Sequence, residues 1–384
     1  MAVSLFARQR IYEGSRFQLL TANFLKGQIR IVGMTLALLL VVFSTISYLI
    51  SLALGPVLFF FTAEGSSVAT RTIQQLPIEL FVAITIQLPV RISVGGLFMI
   101  VWIIFLLCVI FAWLDRGGFH NSIKQISSKP LPLAKANFLF VMPLMATALL
   151  SSTILIQLFQ EAQGVETGGL SFPPETSPYV ILLELAFAPI REEFAFRITS
   201  IGVPVGIFLV YRYRFDPRVA GVKNSLKMIF LAVMSPELAK TRLEYRNVGA
   251  HGFLRGISPL EWILILATST VFGSAHYLLG GGWQIGKIST AFLAGLVLAI
   301  AFVAYGAYAS ILLHWFFNYY FTVVDLADSA YGGIFHVLST LVEAINLTAG
   351  YIVLTGFLLI SAIRLGQYLA WRAMGSRELS KLLA

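Results

Sequence analysis

Glu192-Glu193-Phe194-Ala195-Phe196-Arg197 lies within an apolar stretch, Tyr179 to Val210, that carries very few charges. Ionisable side chains at membrane depth are costly; they face a protein interior or a wet cavity, and they mark functional sites. The spacing assigns them roles. Glu193 and Arg197 are i,i+4, share a helix face and can pair. Glu192 points about 100° away from Glu193 on a helix and is left free for chemistry. Two further polar sets sit in later apolar runs, Phe272-Gly273-Ser274-Ala275-His276 and His314-Trp315-Phe316-Phe317-Asn318. Within each, Phe272 with His276 and His314 with Asn318 fall on a common helix face.

A carboxylate beside a histidine can hold and deprotonate a water molecule. A second histidine and an asparagine amide, aimed at one point, can donate to the oxyanion of a tetrahedral intermediate. Such a set hydrolyses an amide with no covalent intermediate and needs no serine or cysteine nucleophile. Each set also has a structural reading: a hydrogen-bonded intramembrane histidine, helix–helix glue, or a buried ion pair. Three sets in three separate runs favour a site. Zinc held by Glu192, His276 and His314 with an open fourth position is the rival chemistry, although no His-Glu-x-x-His is present. A transport site or a catalytically silent scaffold is the rival of another class, since transporters also place charge at mid-membrane. His336, Glu343 and Asn346 form a fourth polar set, readable as a proton relay or as a structural cluster. Glu184, eight residues before Glu192, lies on a nearby helix face.

These residues need helices to hold them. The chain has 384 residues, 58% hydrophobic and 12% charged, against about 25% charged in a soluble domain. It is therefore read as an all-α, polytopic transmembrane bundle enclosing a hydrophilic cavity. Eight runs are long enough to cross about 30 Å of hydrocarbon: 31–54, 93–114, 137–159, 179–200, 259–279, 288–307, 309–324 and 333–363. The run 179–212 exceeds one upright span. The stretch 77–90, bounded by Pro77 and Pro89, suits a re-entrant or interfacial segment, or an extension of the second span. The net charge of +9 does not point to nucleic acid, because the basic residues cluster between apolar runs. Arg8, Arg10, Arg16, Lys26 and Arg30 precede the first span. Arg116, Lys124, Lys129 and Lys135 follow the second, nine Lys/Arg fill 211–258, and Arg372, Arg377 and Lys381 close the chain. Lys/Arg excess marks the cytoplasmic side, so both termini are expected there, in the plasma membrane. No removable leader is expected at the N-terminus. Cys108 alone excludes an intramolecular disulfide.

The order Glu-Glu-x-x-x-Arg, Phe-x-x-x-His, His-x-x-x-Asn resembles the CAAX protease and bacteriocin-processing family, which includes the type II CAAX-prenyl endopeptidases. The resemblance covers 179–324. It implies an intramembrane endopeptidase in which Glu192 and His276 activate water and His314 and Asn318 form the oxyanion hole. Glu193, Arg197 and Phe272 would support them. It implies no cofactor, the bilayer as surroundings, and a membrane-anchored or lipidated protein as substrate. The expected organisation is a basic segment 1–30, motif-free helices 31–178, a catalytic core 179–324 with the basic insertion 211–258, and a last helix with a basic tail, 325–384. Within the insertion, Met228–Met234 suits an interfacial amphipathic helix.

Overall fold

The computed structural model describes the backbone of residues 2–82, 84–128, 132–279 and 281–382. Side chains are described for Gln28 and for 31–369, except 83, 126–131, 280 and 367. The charges ascribed to Arg8, Arg10, Arg16, Lys26, Arg30, Lys129, Arg372, Arg377 and Lys381 thus lie outside the described side chains.

The N-terminal part comprises α1 (Ala2–Phe61), α2 (Ala63–Ala69), a hairpin of β1 (Thr72–Leu80) and β2 (Ile84–Ser93), α3 (Val94–Leu114), α4 (Phe119–Ser128) and α5 (Phe138–Ala162). The motif-bearing part begins with α6 (Pro178–Glu193), which runs through a π-helical segment, Phe194–Gly202, into α7 (Val203–Arg212). Three short helices follow, α8 (Val222–Met234), α9 (Pro236–Arg242) and α10 (Val248–Gly256), and then α11 (Pro259–Leu278) and α12 (Lys287–Tyr305). A second π segment, Phe316–Tyr320, separates α13 (Ala307–Trp315) from α14 (Phe321–Tyr331), and α15 (Ile334–Leu382) ends the chain.

Among the described residues six helices are long and apolar enough to cross a membrane, or seven if α10 and α11, bent by 61°, count as one broken span. The fold is the expected helical bundle. The seventh run, 309–324, is present as helix but is divided by the second π segment and is not one of these spans. Pro178–Arg212 is a single path of 35 residues. At about 1.5 Å per residue it is far longer than about 30 Å of hydrocarbon. The stretch 77–90 is neither a re-entrant helix nor an extension of α3. It is the body of the hairpin, because Pro77 and Pro89 break helix hydrogen bonding while the flanking Ile, Val and Thr fit a pleated strand.

Local sequence explains where the motif helices start and turn. Ser177 caps α6 ahead of Pro178. Ser258 and Glu261 form a reciprocal capping box ahead of Pro259, starting α11. Gly306 makes the corner between α12 and α13 at φ 111, and a Cβ there would meet the Met234 carbonyl at 2.8 Å. Only glycine meets both demands. The insertion 211–258 is folded as helix, with Met228 and Ala232 of α8 buried. It is anchored by Lys240, whose Nζ lies 2.8 Å from Glu261 Oε1 and 3.6 Å from Glu237 Oε2. The Glu237 carboxylate in turn accepts from the backbone N–H groups of Val248 and Gly249. That network ties α9, α10 and α11 together.

Candidate active site

The first π segment begins one residue after Glu193 and leads into Pro204, which has no N–H to continue the helix ladder. Hydroxyls bond the carbonyls around this wider turn. Thr199 Oγ1 donates to Phe194 and Ala195, and Ser200 Oγ donates to Ala195. The second π segment begins two residues after His314 and contains Asn318. The Glu192–Arg197 and His314–Asn318 sets therefore each straddle an α–π junction, the kind of local distortion that recurs at functional sites, whereas Phe272 and His276 lie in the regular helix α11.

Glu193 and Arg197 are fully buried and joined at 2.8 Å, Arg197 Nη1 to Glu193 Oε1. Arg197 Nη2 donates to the Gly295 carbonyl on α12 at 3.3 Å, and the guanidinium sits 4.4 Å above the Phe272 ring. The same Glu193 oxygen takes a 2.8 Å hydrogen bond from His314 Nδ1. A carboxylate paired with arginine is an acceptor only, so His314 carries its proton on Nδ1. Its other nitrogen, Nε2, faces Glu192 Oε2 at 3.7 Å. Glu192 keeps 20% of its side-chain surface exposed, whereas Glu193 has none. One carboxylate is committed to the interior and its neighbour is open.

His276 ends α11 with Nδ1 2.8 Å from the Phe272 carbonyl. A carbonyl only accepts, so Nδ1 bears the proton and neutral His276 offers a lone pair at Nε2. Phe272 meets the rings of His276 and His314 edge-on, at 4.7 and 5.9 Å. It is thus the wall common to both histidines. Gly273 lets α12 approach this wall, since a Cβ there would come within 2.6 Å of the Ile288 carbonyl. Glu192 and His314 both lie within charge-interaction range of His276. Asn318 is half-buried, and no hydrogen bond from its side-chain amide is present among the described residues. Its segment packs on α6.

The structure thus gathers Glu192, Glu193, Arg197, Phe272, His276 and His314 around one point, and it sets Asn318 on a segment against the same helix. It does not gather the fourth polar set. His336 bonds Asp328 at the exposed α14–α15 turn, and Asn346 is buried against Tyr320 and the Val342 carbonyl. Glu184 is exposed.

Three neighbours were not apparent from the motifs. Lys287, at the start of α12, has its charge in range of Glu192 and His276 and its Nζ over the Trp283 ring at 3.8 Å. Its sequence signal was a lone lysine opening an apolar run. Ser310 lies beside Glu193, one helical turn before His314. The hairpin tip carries Val82, which packs with Ala275 onto the cluster of Ala195, Phe196, Phe272 and Ala291.

Residues 174–320 match the family model described as Type II CAAX prenyl endopeptidase Rce1-like. Over that segment, less than half of the chain, the protein is similar to the type II CAAX prenyl endopeptidases. No curated protein and no solved structure matches the chain. The matched segment opens just before the Ser177 cap and closes on the second π segment, so it encloses both α–π junctions and every motif residue from Glu192 to Asn318. The helices before it lie outside the match, although their hairpin reaches the candidate site through Val82.

Proposed function

We propose that this protein is a glutamate-type intramembrane endopeptidase that cuts a peptide bond near the C-terminus of a lipidated, membrane-anchored protein. The observation that carries the proposal is the division of labour between adjacent carboxylates. Glu193 is consumed by Arg197 and His314, and Glu192 is left open beside them. A water between Glu192 and His276 Nε2 meets two acceptors, one for each O–H. Its own lone pair is then directed at the substrate carbonyl. As that carbonyl becomes an oxyanion, His314 Nε2 and the Asn318 amide are the donors. His314 can donate from Nε2 only when its ring holds both protons, because Nδ1–H is already given to Glu193.

Two predictions follow from these proton positions. The kcat/KM profile has an acidic limb, because His276 must be neutral to accept a proton from water. A profile with no acidic limb in a purified preparation contradicts that assignment. Asn318→Ala lowers turnover by about 10²–10³ with little change in substrate affinity, as expected for one lost oxyanion donor. A variant that binds weakly yet keeps its maximal rate would make Asn318 a recognition residue.

The zinc reading has one observation in its favour. Nδ1 bonds to a carbonyl and a carboxylate are also how zinc-ligating histidines are oriented. No group of three His, Cys, Asp or Glu is placed to hold a metal among the described residues. Under the metal-free reading a strong chelator leaves the purified enzyme active. Stoichiometric zinc, with activity lost on chelation and restored by zinc alone, selects the metalloprotease instead. The Lys/Arg distribution supports the proposed setting, a plasma-membrane protein with both termini cytoplasmic and water reaching the site from that side.

A further inference from the structure

The hairpin β1–β2 carries information that the hydrolytic machinery does not use. Its tip is strained. Phe81 and Val82 have φ of 47 and 69, a left-handed region that bulky and β-branched side chains rarely enter and that hairpin turns normally fill with Asn-Gly. The strain is held by two ties: Phe81 N–H donates to Thr199 Oγ1 in the first π segment at 3.0 Å, and Val82 is packed on the Phe196–Phe272 cluster. Further along, Glu79 pairs with Arg191 at 3.4 Å. The hairpin is therefore fastened beside Glu192 through Arg191 and beside His276 through Ala275. Strain held in this way is characteristic of functional sites.

The register shows which backbone groups are available. Pro77 pairs with Gln87, and Gln75 with Pro89. A proline has no N–H to exchange, so both are non-hydrogen-bonded pairs of the antiparallel ladder. By alternation Glu79↔Thr85 is another. The N–H and C=O of Thr85 and Gln87 consequently point away from β1. The sheet has two strands among the described residues, and β1 is the one that lies against α6 and the π segment. β2 is the outer strand, with Ile84 to Pro89 all exposed. An open sheet edge does not occur facing lipid, because its backbone groups have no partner there. This edge must meet water or another strand.

We propose that the free edge of β2 receives the substrate, an extended peptide segment that adds as a third strand through the backbone of Thr85 and Gln87 and so delivers its scissile bond to Glu192 and His276. The inference rests on the protease reading for the identity of the peptide. Strand addition supplies affinity through main-chain hydrogen bonds and is indifferent to most side chains. The ladder has a period of two residues, and that periodicity is its signature.

The test uses the full-length Glu192→Gln protein in detergent micelles and a fluorescent, S-prenylated peptide with a free C-terminus. The peptide is N-methylated at one backbone position at a time. Anisotropy gives Kd across the series, and cleavage of the unmodified peptide by wild type is followed in parallel. Strand addition predicts that Kd rises about three- to tenfold, the worth of one hydrogen bond, at alternate positions only. Thr85→Pro and Gln87→Pro, which remove only outward N–H groups, raise Kd by a similar factor with no shift in thermal midpoint. A flat or aperiodic series, prolines without effect, or no peptide binding at all overturns the edge proposal. Binding with the period-two pattern but no cleavage by wild type instead overturns the protease reading and leaves the edge standing. The substrate-side series keeps the outcome decisive even if a proline variant fails to fold.

Discussion

Glu192→Gln purifies in normal yield with an unchanged thermal midpoint and loses at least about 10²–10⁴ of its turnover, the range expected when a positioned base is removed. The substitution keeps volume and polarity, and the one ion pair it weakens, to His314 Nε2 at 3.7 Å, is longer than a hydrogen bond and lies at the partly exposed side of the carboxylate. Packing is therefore spared while the acceptor that takes the proton from water is gone. The adjacent Glu193 cannot stand in, because it is buried and its Oε1 is held by both Arg197 and His314. Turnover in Glu192→Gln within a few-fold of wild type would end the glutamate mechanism.

Arg197→Ala has the largest expected effect on folding. The guanidinium has no exposed surface. It bonds Glu193 and the Gly295 carbonyl and covers the face of Phe272. Removing it strands a buried carboxylate and opens a cavity among α6, α11 and α12, at a cost of about 3–5 kcal/mol. His314 is the remaining donor to Glu193, so its proton is drawn into neutralising that carboxylate and activity falls as well. Arg197→Lys keeps the charge but loses the planar fork that serves two acceptors, and it should be intermediate. The readouts are yield and thermal midpoint in detergent. A wild-type midpoint for Arg197→Ala would show that the pair does not hold the interior.

The sequence carried the helical part of this site well. Helical spacing paired Glu193 with Arg197 and singled out Glu192, and the structure has that pair at 2.8 Å. Phe272 and His276 share a face as their spacing requires. What the spacing could not carry was the link between His314 and Glu193, 121 residues apart, because tertiary contacts between helices have no local signal. That link changes the chemistry, since it fixes the proton on His314 Nδ1. The π segments were also hidden. In the first, the Thr199 and Ser200 hydroxyls bond the carbonyls of the wider turn and Pro204 follows it without an N–H, while the hydropathy of both runs is that of plain helix. The hairpin was missed for a different reason. Its strands are as apolar as a short membrane segment, and the two prolines that look like helix boundaries are in fact spaced to sit at matching positions of a ladder. Within the basic insertion Met228–Met234 is helical as expected, and much of the remainder is helical too, held by Lys240 between Glu237 on its own helix and Glu261 at the start of α11.

The central claim is that water activated by Glu192, without metal, cuts the peptide. The most direct measurement is mass spectrometry of an S-prenylated peptide incubated with purified wild-type protein and a strong chelator, beside the same mixture containing Glu192→Gln. The account predicts release of the C-terminal fragment by wild type in the presence of chelator and none above background by Glu192→Gln. Cleavage that survives in Glu192→Gln, or cleavage by wild type that stops with chelator and returns only with zinc, would contradict it.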